Sequence, residues 1–342
     1  MDADEIVKWL DHVKTTATLL SILVSSAVLL YTVGKCLYNI FLHPLRSYPG
    51  PLLWRATRLP YDWYLFHGTL HTKVVEIHKQ YGPTVRLTPD ELSFTSSQAR
   101  KDILAHFPGR EEFPKDLTKT ATPPNGCQSI LLSHRDTHSR FRRLLSHAFS
   151  EKGLRDQEGH IDRHVELLVE NLTRKAASGG KTDMVNWYNM VTFDVIGNLA
   201  FGKSFDCLED GGKLHDWIPG VSGSVKFALQ DAIVKGWGLG FLSKYLMDDE
   251  TQKARIKNYM YAQQRVNSRM EFGADRGDFW DKILIKSEKN ELTGEGMSPG
   301  EMLNNAVVLV LGGSETSATT LSGEFAASRL CHSSSSLTHS SL

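Results

Sequence analysis

Cysteine is scarce in this chain. Four of its 342 residues are cysteines, Cys36, Cys127, Cys207 and Cys331, and no two of them form a Cys-x-x-Cys pair. That spacing speaks against a zinc site and a disulfide framework and fits a reducing, cytosol-facing environment. An excess of one charge is lacking too. Lys plus Arg and Asp plus Glu both total 39, so no global field points to nucleic acid or to an acidic partner. The start of the chain also lacks the positive segment of a cleaved signal peptide, carrying Asp2, Asp4, Glu5 and Asp11 against Lys8 and Lys14. With 41% hydrophobic residues the chain can bury a substantial core, and its length allows two or three domains.

What is present begins with an uncharged, mostly apolar stretch from Thr15 to Gly34. At about 1.5 Å per helical residue it is long enough to cross a hydrocarbon layer of roughly 30 Å. Lys35, Arg46, Arg55 and Arg58 follow with no acidic residue before Asp62, so the positive-inside rule leaves residues 1–14 as a lumenal stub and the main body in the cytosol. In a eukaryotic host this orientation implies the endoplasmic reticulum membrane, with lipid as a first partner. Residues 35–57 then carry Pro44, Pro49 and Pro51, which have no amide donors and predict a stiff, extended linker that spaces the body from the bilayer.

The body reads as mainly α with a small β-sheet region. Tyr61 to Tyr81 predicts one helix, ended by Gly82-Pro83. Thr84 to Leu87 and Leu92 to Phe94 alternate polar and apolar residues around a Thr88-Pro89-Asp90 turn, as a hairpin does. Ile161, Val165, Leu168 and Leu172 recur at helical spacing up to Ser178-Gly179-Gly180. Asp183 is placed to cap the next helix, whose Met184, Trp187, Val191 and Val195 predict a single buried stripe ending near Gly202. Asn171-Leu172-Thr173 is a glycosylation sequon that a cytosolic body would leave unused. Gly220 to Leu246 combines glycine with large apolar residues, as either mobile helices over a channel or an ordinary core pair would. A charged helix is expected over Thr251 to Met270, then a polar loop, with Ser298 and Pro299 as start signals for a helix from Glu301 to Thr320.

Two passages carry candidate chemistry. In His134 to Ser150, HRDTHSRFRRLLSHAFS, four arginines precede an apolar run, and guanidiniums so placed can hold carboxylates bidentately. His138 and Arg142 stand one helical turn apart, so both can meet one edge of a ligand. His134 and His138 have the spacing of a metal pair, but Arg135 stands where a zinc protease needs glutamate and no third ligand is evident. In Val307 to Gly323, VVLVLGGSETSATTLSG, two glycines interrupt an apolar helical run. Each costs about 1 kcal/mol relative to alanine, so a close approach to the backbone is expected there. Gly312, Gly313 and Thr316 are expected to share one face, as a notch edged by a hydroxyl that can bond the Gly312 carbonyl. The passage lacks the lysine of a phosphate-binding loop.

Gly312-Gly313-Ser314-Glu315-Thr316-Ser317 resembles the oxygen-binding helix of the cytochrome P450 monooxygenases. The aromatic-rich HPL segment leading to Pro49-Gly50-Pro51, the passages YGPTVRLTPDELSFTS, GREEFPKD and FDVIGNLAFGKSFDCLE, and the whole RRLLSHAFS run are similar to the fungal microsomal type. The resemblance runs from about Tyr38 to Gly323. It implies haem b as cofactor, with Gly312 and Gly313 over one haem face, Thr316 bonding dioxygen at the iron and Glu315 relaying protons. It implies His138 and Arg142 at the haem propionates, an NADPH-dependent cytochrome P450 reductase as electron donor, and an apolar small molecule of secondary metabolism as substrate.

The same resemblance exposes a departure. The Glu-x-x-Arg motif and the Phe-x-x-Gly-x-Arg-x-Cys-x-Gly loop, which would supply the haem-ligating cysteine, are not found, and Cys331 sits in Arg-Leu-Cys-His ahead of four serines. The expectation is therefore a transmembrane helix and linker followed by an incomplete cytochrome P450 fold over 58–323, with residues 324–342 as a serine-rich, disordered tail. Without the axial ligand no turnover is expected of the chain as written. The alternative is a membrane-anchored binding or regulatory fragment without chemistry.

Overall fold

A computed structural model describes residues 3–107, 109–117, 120, 123–209, 211–245, 249–289 and 296–338. The chain divides into two compact units, residues 1–113 and 114–342. Most described residues are helical, with one small two-stranded sheet.

The first unit opens with α1, Ala3–Phe41, which includes an apolar stretch from His12 to Phe41 long enough to cross a membrane and with none of its most apolar window buried in protein. Residues 35–57 do not form the extended connector expected from their prolines. They hold the last turns of α1, a run of turns and the short α2, Leu52–Ala56. The chain folds back because Asn39 donates from Nδ2 to the Ala56 carbonyl at 2.8 Å. Gly50 is also required, since a Cβ there would lie 2.5 Å from the carbonyl oxygen of Arg86.

The single helix expected over Tyr61 to Tyr81 is two, α3, Leu59–Phe66, and α4, Leu70–Tyr81, parted at Gly68 with φ +70°. A left-handed glycine stops a helix even where apolar spacing continues across it. The predicted hairpin is present as β1, Thr84–Thr88, paired antiparallel with β2, Glu91–Phe94. Trp54, Ile77, Val85 and Leu87 form the core of this unit, and Tyr64 stacks on Trp54. A capped helix α5, Ser97–Leu104, and the irregular 109–113 segment complete it.

The second unit contains α6, Arg135–Leu145, α7, Glu151–Ala177, and α8, Met184–Phe201. Asp183 caps α8 as expected, accepting from the amides of Val185 and Asn186, and Gly202 ends it in the left-handed region. The single stripe expected on α8 is an underestimate. From Met190 to Phe201 every residue except Val195 is buried, so α8 is the central helix of the core, as a helix apolar on all sides must be. Asp194 is buried within it and accepts from the amides of Cys207 and Leu208 at 3.1 and 2.9 Å, pinning the loop after Gly202. Asn171 turns inward to the Leu208 carbonyl, so the sequon is closed to modification by packing as well as by any argument from orientation.

The unit also contains α9, Trp217–Gly236, a 3-10 turn over Gly240–Tyr245, α10, Asp249–Glu271, α11, Asp281–Lys289, and α12, Pro299–Thr338. In the polar loop expected after the charged helix, residues 290–295 lie outside the described residues. The serine-rich segment expected as an irregular tail continues α12 as far as Thr338. After Gly323 the sequence holds no proline or glycine to stop a helix once it has formed. Charge on α10 is not all on the surface. Arg269 is fully buried, forked onto Asp278 at 2.5 and 2.8 Å, with Asp281 at 2.6 Å.

Burying a guanidinium costs several kcal/mol unless its partners are in place. Asp278→Ala should therefore destabilise this unit by roughly 3–5 kcal/mol, because Arg269 would be left buried with half its fork. A lowered midpoint in urea denaturation of the detergent-solubilised chain, with unchanged slope, is the expected result.

Candidate functional site

The long helix α12 begins with a reciprocal cap. Glu301 N–H donates to Ser298 Oγ at 3.3 Å, and Ser298 N–H donates to Glu301 Oε2 at 2.9 Å. Met302, Ala306, Val310, Ser314 and Ala318, every fourth residue, are buried, and α12 packs more extensively against α8 than against any other element. The small members of that row, Ala306, Ser314 and Ala318, let two helices approach closely. The buried Ser314 hydroxyl is satisfied by the Val310 carbonyl at 2.7 Å.

The two glycines of the motif part company in the structure. A Cβ on Gly313 would lie 2.7 Å from Ile196 Cδ1, so this glycine is the seat of the α8 contact. A Cβ on Gly312 would meet nothing within 4 Å. The expected notch is therefore not shared by both. Adjacent helical residues are turned about 100° apart, and the contact with α8 takes one of them. Gly312, Glu315 and Thr316 remain on the exposed side as an open strip, and Thr316 Oγ1 donates to the Gly312 carbonyl at 2.6 Å, as predicted.

On α6, Phe141, Leu144 and Leu145 face the core, and the arginines separate by role. Arg140 is committed to structure: its guanidinium pairs with Glu301 at 2.6 Å and donates to the Gly296 carbonyl. Arg142 is exposed and His138 half-buried, one turn apart as expected. Burial raises the Glu301 carboxyl, but hydrogen bonds from Arg140 and from the Ser298 amide outweigh it and hold the group below the usual carboxylate range. The two helices thus meet at the first turn of α12. Gly312 lies eleven residues beyond Glu301, about 16 Å along the axis, so His138 and Arg142 are tied to the start of the helix and not directly to the strip.

A strap that sequence reasoning missed crosses this first turn. Asn125 Nδ2 donates to the Gly300 carbonyl at 3.1 Å, Asn304 Nδ2 donates to the Cys127 carbonyl at 2.8 Å, and Ile130 N–H donates to Asn305 Oδ1 at 2.8 Å. The signal was there: Asn304-Asn305 is a polar pair inside an apolar helical run, and buried amides need partners.

A haem with an axial thiolate can be tested against these residues. The open strip beside a hydroxyl leaves room for a flat ring, and Arg142, away from the strip, is exposed to an anionic group. The described cysteines do not suit the iron. Cys207 is buried, and burial with the Asp194 charge beside it pushes its thiol up to about 12, so it stays protonated. Cys127 lies in the strap with Sγ against Gly300, Cys36 lies in α1, and the side chain of Cys331 is outside what is described. Among the described residues no group of three His, Cys, Asp or Glu could hold a metal ion. The described cysteines therefore do not supply its ligation.

The family model described as cytochrome P450 matches residues 45–327. Versicolorin B desaturase of Aspergillus parasiticus is 47% identical over 89% of this chain and 60% of its own length. The enzyme of the same name from Dothistroma septosporum is 46% identical over 90% of this chain and 59% of its own. Averantin hydroxylase from Dothistroma septosporum is 41% identical over 87% of this chain and 55% of its own. The chain thus spans about 60% of the length of the versicolorin B desaturases it matches.

The split between the glycines has a measurable consequence. Gly313→Ala should cost roughly 1–3 kcal/mol of stability by overpacking against Ile196, and Ile196→Ala should relieve part of that loss. Gly312→Ala should raise stability by up to about 1 kcal/mol, since an open helical glycine only loses backbone entropy. The Arg140–Glu301 clamp has its own signature. A carboxyl with a depressed folded-state value contributes stability above its ordinary value of 4.5 and loses it as pH falls through the folded value. Acid unfolding followed by circular dichroism should therefore show a shallower loss below pH 4.5 in Glu301→Gln than in the parent chain.

Proposed function

Because this chain belongs to the cytochrome P450 family, we propose that it forms the anchor and the oxygen-side half of a haem-thiolate monooxygenase of fungal secondary metabolism. The observation that carries this reading is the strip Gly312-Glu315-Thr316, an open stretch of backbone flanked by a hydroxyl and a carboxylate on a helix whose other side is buried. Haem bound by a thiolate supplies the oxidising power to insert one atom of dioxygen into an apolar molecule.

The residues of this chain have the remaining tasks. Gly312 leaves room for a flat ring to approach the backbone. The Thr316 hydroxyl, which donates to the Gly312 carbonyl when no ligand competes, can turn to a ligand atom. The exposed Glu315 carboxylate beside it can pass protons inward from solvent. Arg142, with His138 one turn away, is available to propionates as a charge-assisted donor. Residues 15–34 anchor the body in the endoplasmic reticulum membrane, where a reductase in the same bilayer delivers electrons, and the body extends from 58 to about 323. The identity to the two versicolorin B desaturases supports a substrate related to versicolorin B.

A second reading, a membrane-anchored fragment that binds without turnover, is favoured by the cysteines: Cys207 is held protonated and Cys127 is packed into the strap. The two readings are separated by one pair of preparations. This chain alone, supplied with haem, reduced and exposed to carbon monoxide, is expected to show no thiolate-type Soret band. A chimera that continues this chain with the remainder of the Aspergillus parasiticus enzyme is expected to show the band and to oxidise versicolorin B with reductase and NADPH. In the chimera Thr316→Ala should lower kcat by roughly 100-fold at unchanged haem content. A thiolate band from the chain alone would overturn the fragment reading. A haem-loaded chimera with no activity towards versicolorin B or averantin would overturn the proposed substrate class.

A further inference from the structure

Residues 272–280, which connect α10 to α11, are seated on two other helices of the second unit. Phe279 N–H donates to the Leu199 carbonyl at 3.3 Å and Trp280 Nε1 to the Ala200 carbonyl at 2.6 Å, which fastens the connector to the end of α8. His160 Nε2 donates to the Arg276 carbonyl at 3.0 Å, which fastens it to α7. Between these contacts Asn198 of α8 has His164 of α7 on one side, at 3.1 Å, and the Arg276 guanidinium on the other, at 2.5 Å. His164 and Asn198 are only 3% and 8% exposed, so a bond lost here is poorly replaced by water.

The direction of these bonds is fixed from one end. A guanidinium only donates, so Asn198 turns Oδ1 to Arg276 and Nδ2 to His164. His164 Nε2 must then accept, which an imidazole does only when it is neutral. Turning Asn198 over would satisfy a charged ring and would set Nδ2 against Arg276, so no orientation of the amide serves two cations. His160, one turn earlier on α7, is bonded in the opposite sense: it donates to a carbonyl, and a charged ring keeps that bond. Burial is the largest influence on His164 and holds its imidazole below the ordinary value of 6.5. Asp194 of α8 and Glu209 of the following loop favour a charge there, Arg163 and His160 on α7 oppose it, and Glu209 is already paired with Arg163 at 3.1 Å. On the connector, Arg276 stands beside Asp278, whose carboxylate is 3.4 Å from its Nε.

We propose that His164, Asn198 and Arg276 form an acid-sensitive latch, in which a proton taken from solvent by His164 Nε2 releases the α10–α11 connector from its seat on α7 and α8. That proton removes at least one of two buried hydrogen bonds and places a positive charge on each side of a single neutral amide. Because the folded state prefers the neutral ring, the stabilisation is complete above 6.5 and is lost as pH falls through the lower folded value. Opening of the connector becomes easier with acid as soon as the opened ring can charge. α10 packs on α12 and α11 on α6, so a loosened connector is felt by both helices that carry the candidate site.

The test is hydrogen exchange of the full detergent-solubilised chain at about pH 7.5 and about pH 5, corrected for the pH dependence of the chemical step. Peptides that hold the Gly277, Phe279 and Trp280 amides should lose protection by roughly tenfold at the lower pH. His164→Gln gives Asn198 an acceptor that cannot charge and should remove the loss. Asn198→Asp can accept from a charged His164 and from Arg276 together and should remove it too, whereas His160→Gln should leave it in place. Where one of the first two variants does not fold, the other decides. If the connector of the parent chain keeps its protection at the lower pH, the proposal is overturned. It is overturned also if the loss persists at full size in His164→Gln or Asn198→Asp, or if His160→Gln abolishes it. If the Cys207 and Leu208 amides, which Asp194 holds, lose protection to the same degree and Asp194→Asn removes the loss, the buried carboxyl is the sensor and the proposal fails.

Discussion

Helices α8 and α12 approach so closely that residue 313 has no room for a methyl group against Ile196, and much of the second unit follows from that contact. A helix buried on nearly all sides, like α8, can exist only if other helices cover it, and α7, α10 and α12 all do so. The row of small residues along α12 permits the approach, and one side of α12 is consumed by it. The other side is left open, at Gly312, Glu315 and Thr316. The glycine pair thus serves two separate purposes: one member admits a neighbouring helix, and the other keeps the backbone accessible.

Polar groups hold the joints between the packed elements. Arg269 ties α10 to the start of α11 through Asp278 and Asp281, Asp194 holds the loop after α8, and Asn304 with Asn305 binds the strap to α12. None of these groups is tolerable in an apolar interior alone, because an unpaired buried charge or amide costs more than its hydrogen bonds return. Each accordingly has its partners supplied by a neighbouring turn. The arginines of α6 divide under the same rule. Arg140 lies where Glu301 can meet it and becomes a clamp, while Arg142 lies a little over half a turn away in solvent and stays available to a ligand.

Short-range features and long-range ones differ in how far the sequence reveals them. Local ones were legible: the Asp183 cap, the hairpin around Pro89-Asp90, the Ser298-Pro299 start of α12 and the Thr316 bond to the Gly312 carbonyl depend on residues within a few positions of each other. Statements about coverage were not. The prolines of 35–57 implied an extended spacer, yet Asn39 and Arg86, 47 residues apart, fold it back. The charged pattern of α10 does not single out Arg269, yet Arg269 is in the core because two aspartates from a later segment reach it.

The sequence by itself determined the membrane-length helix, the caps and turns, and the family, since each rests on residue type and short-range spacing. Tertiary structure alone decided which of two adjacent glycines is covered, which arginine of four is spent on a clamp, and which faces of α2 and α3 are left exposed. Periodicity states which side chains share a face of a helix. Only the packing of distant segments decides whether that face meets protein, ligand or solvent, because burial is a property of the neighbours a residue acquires and not of the residue.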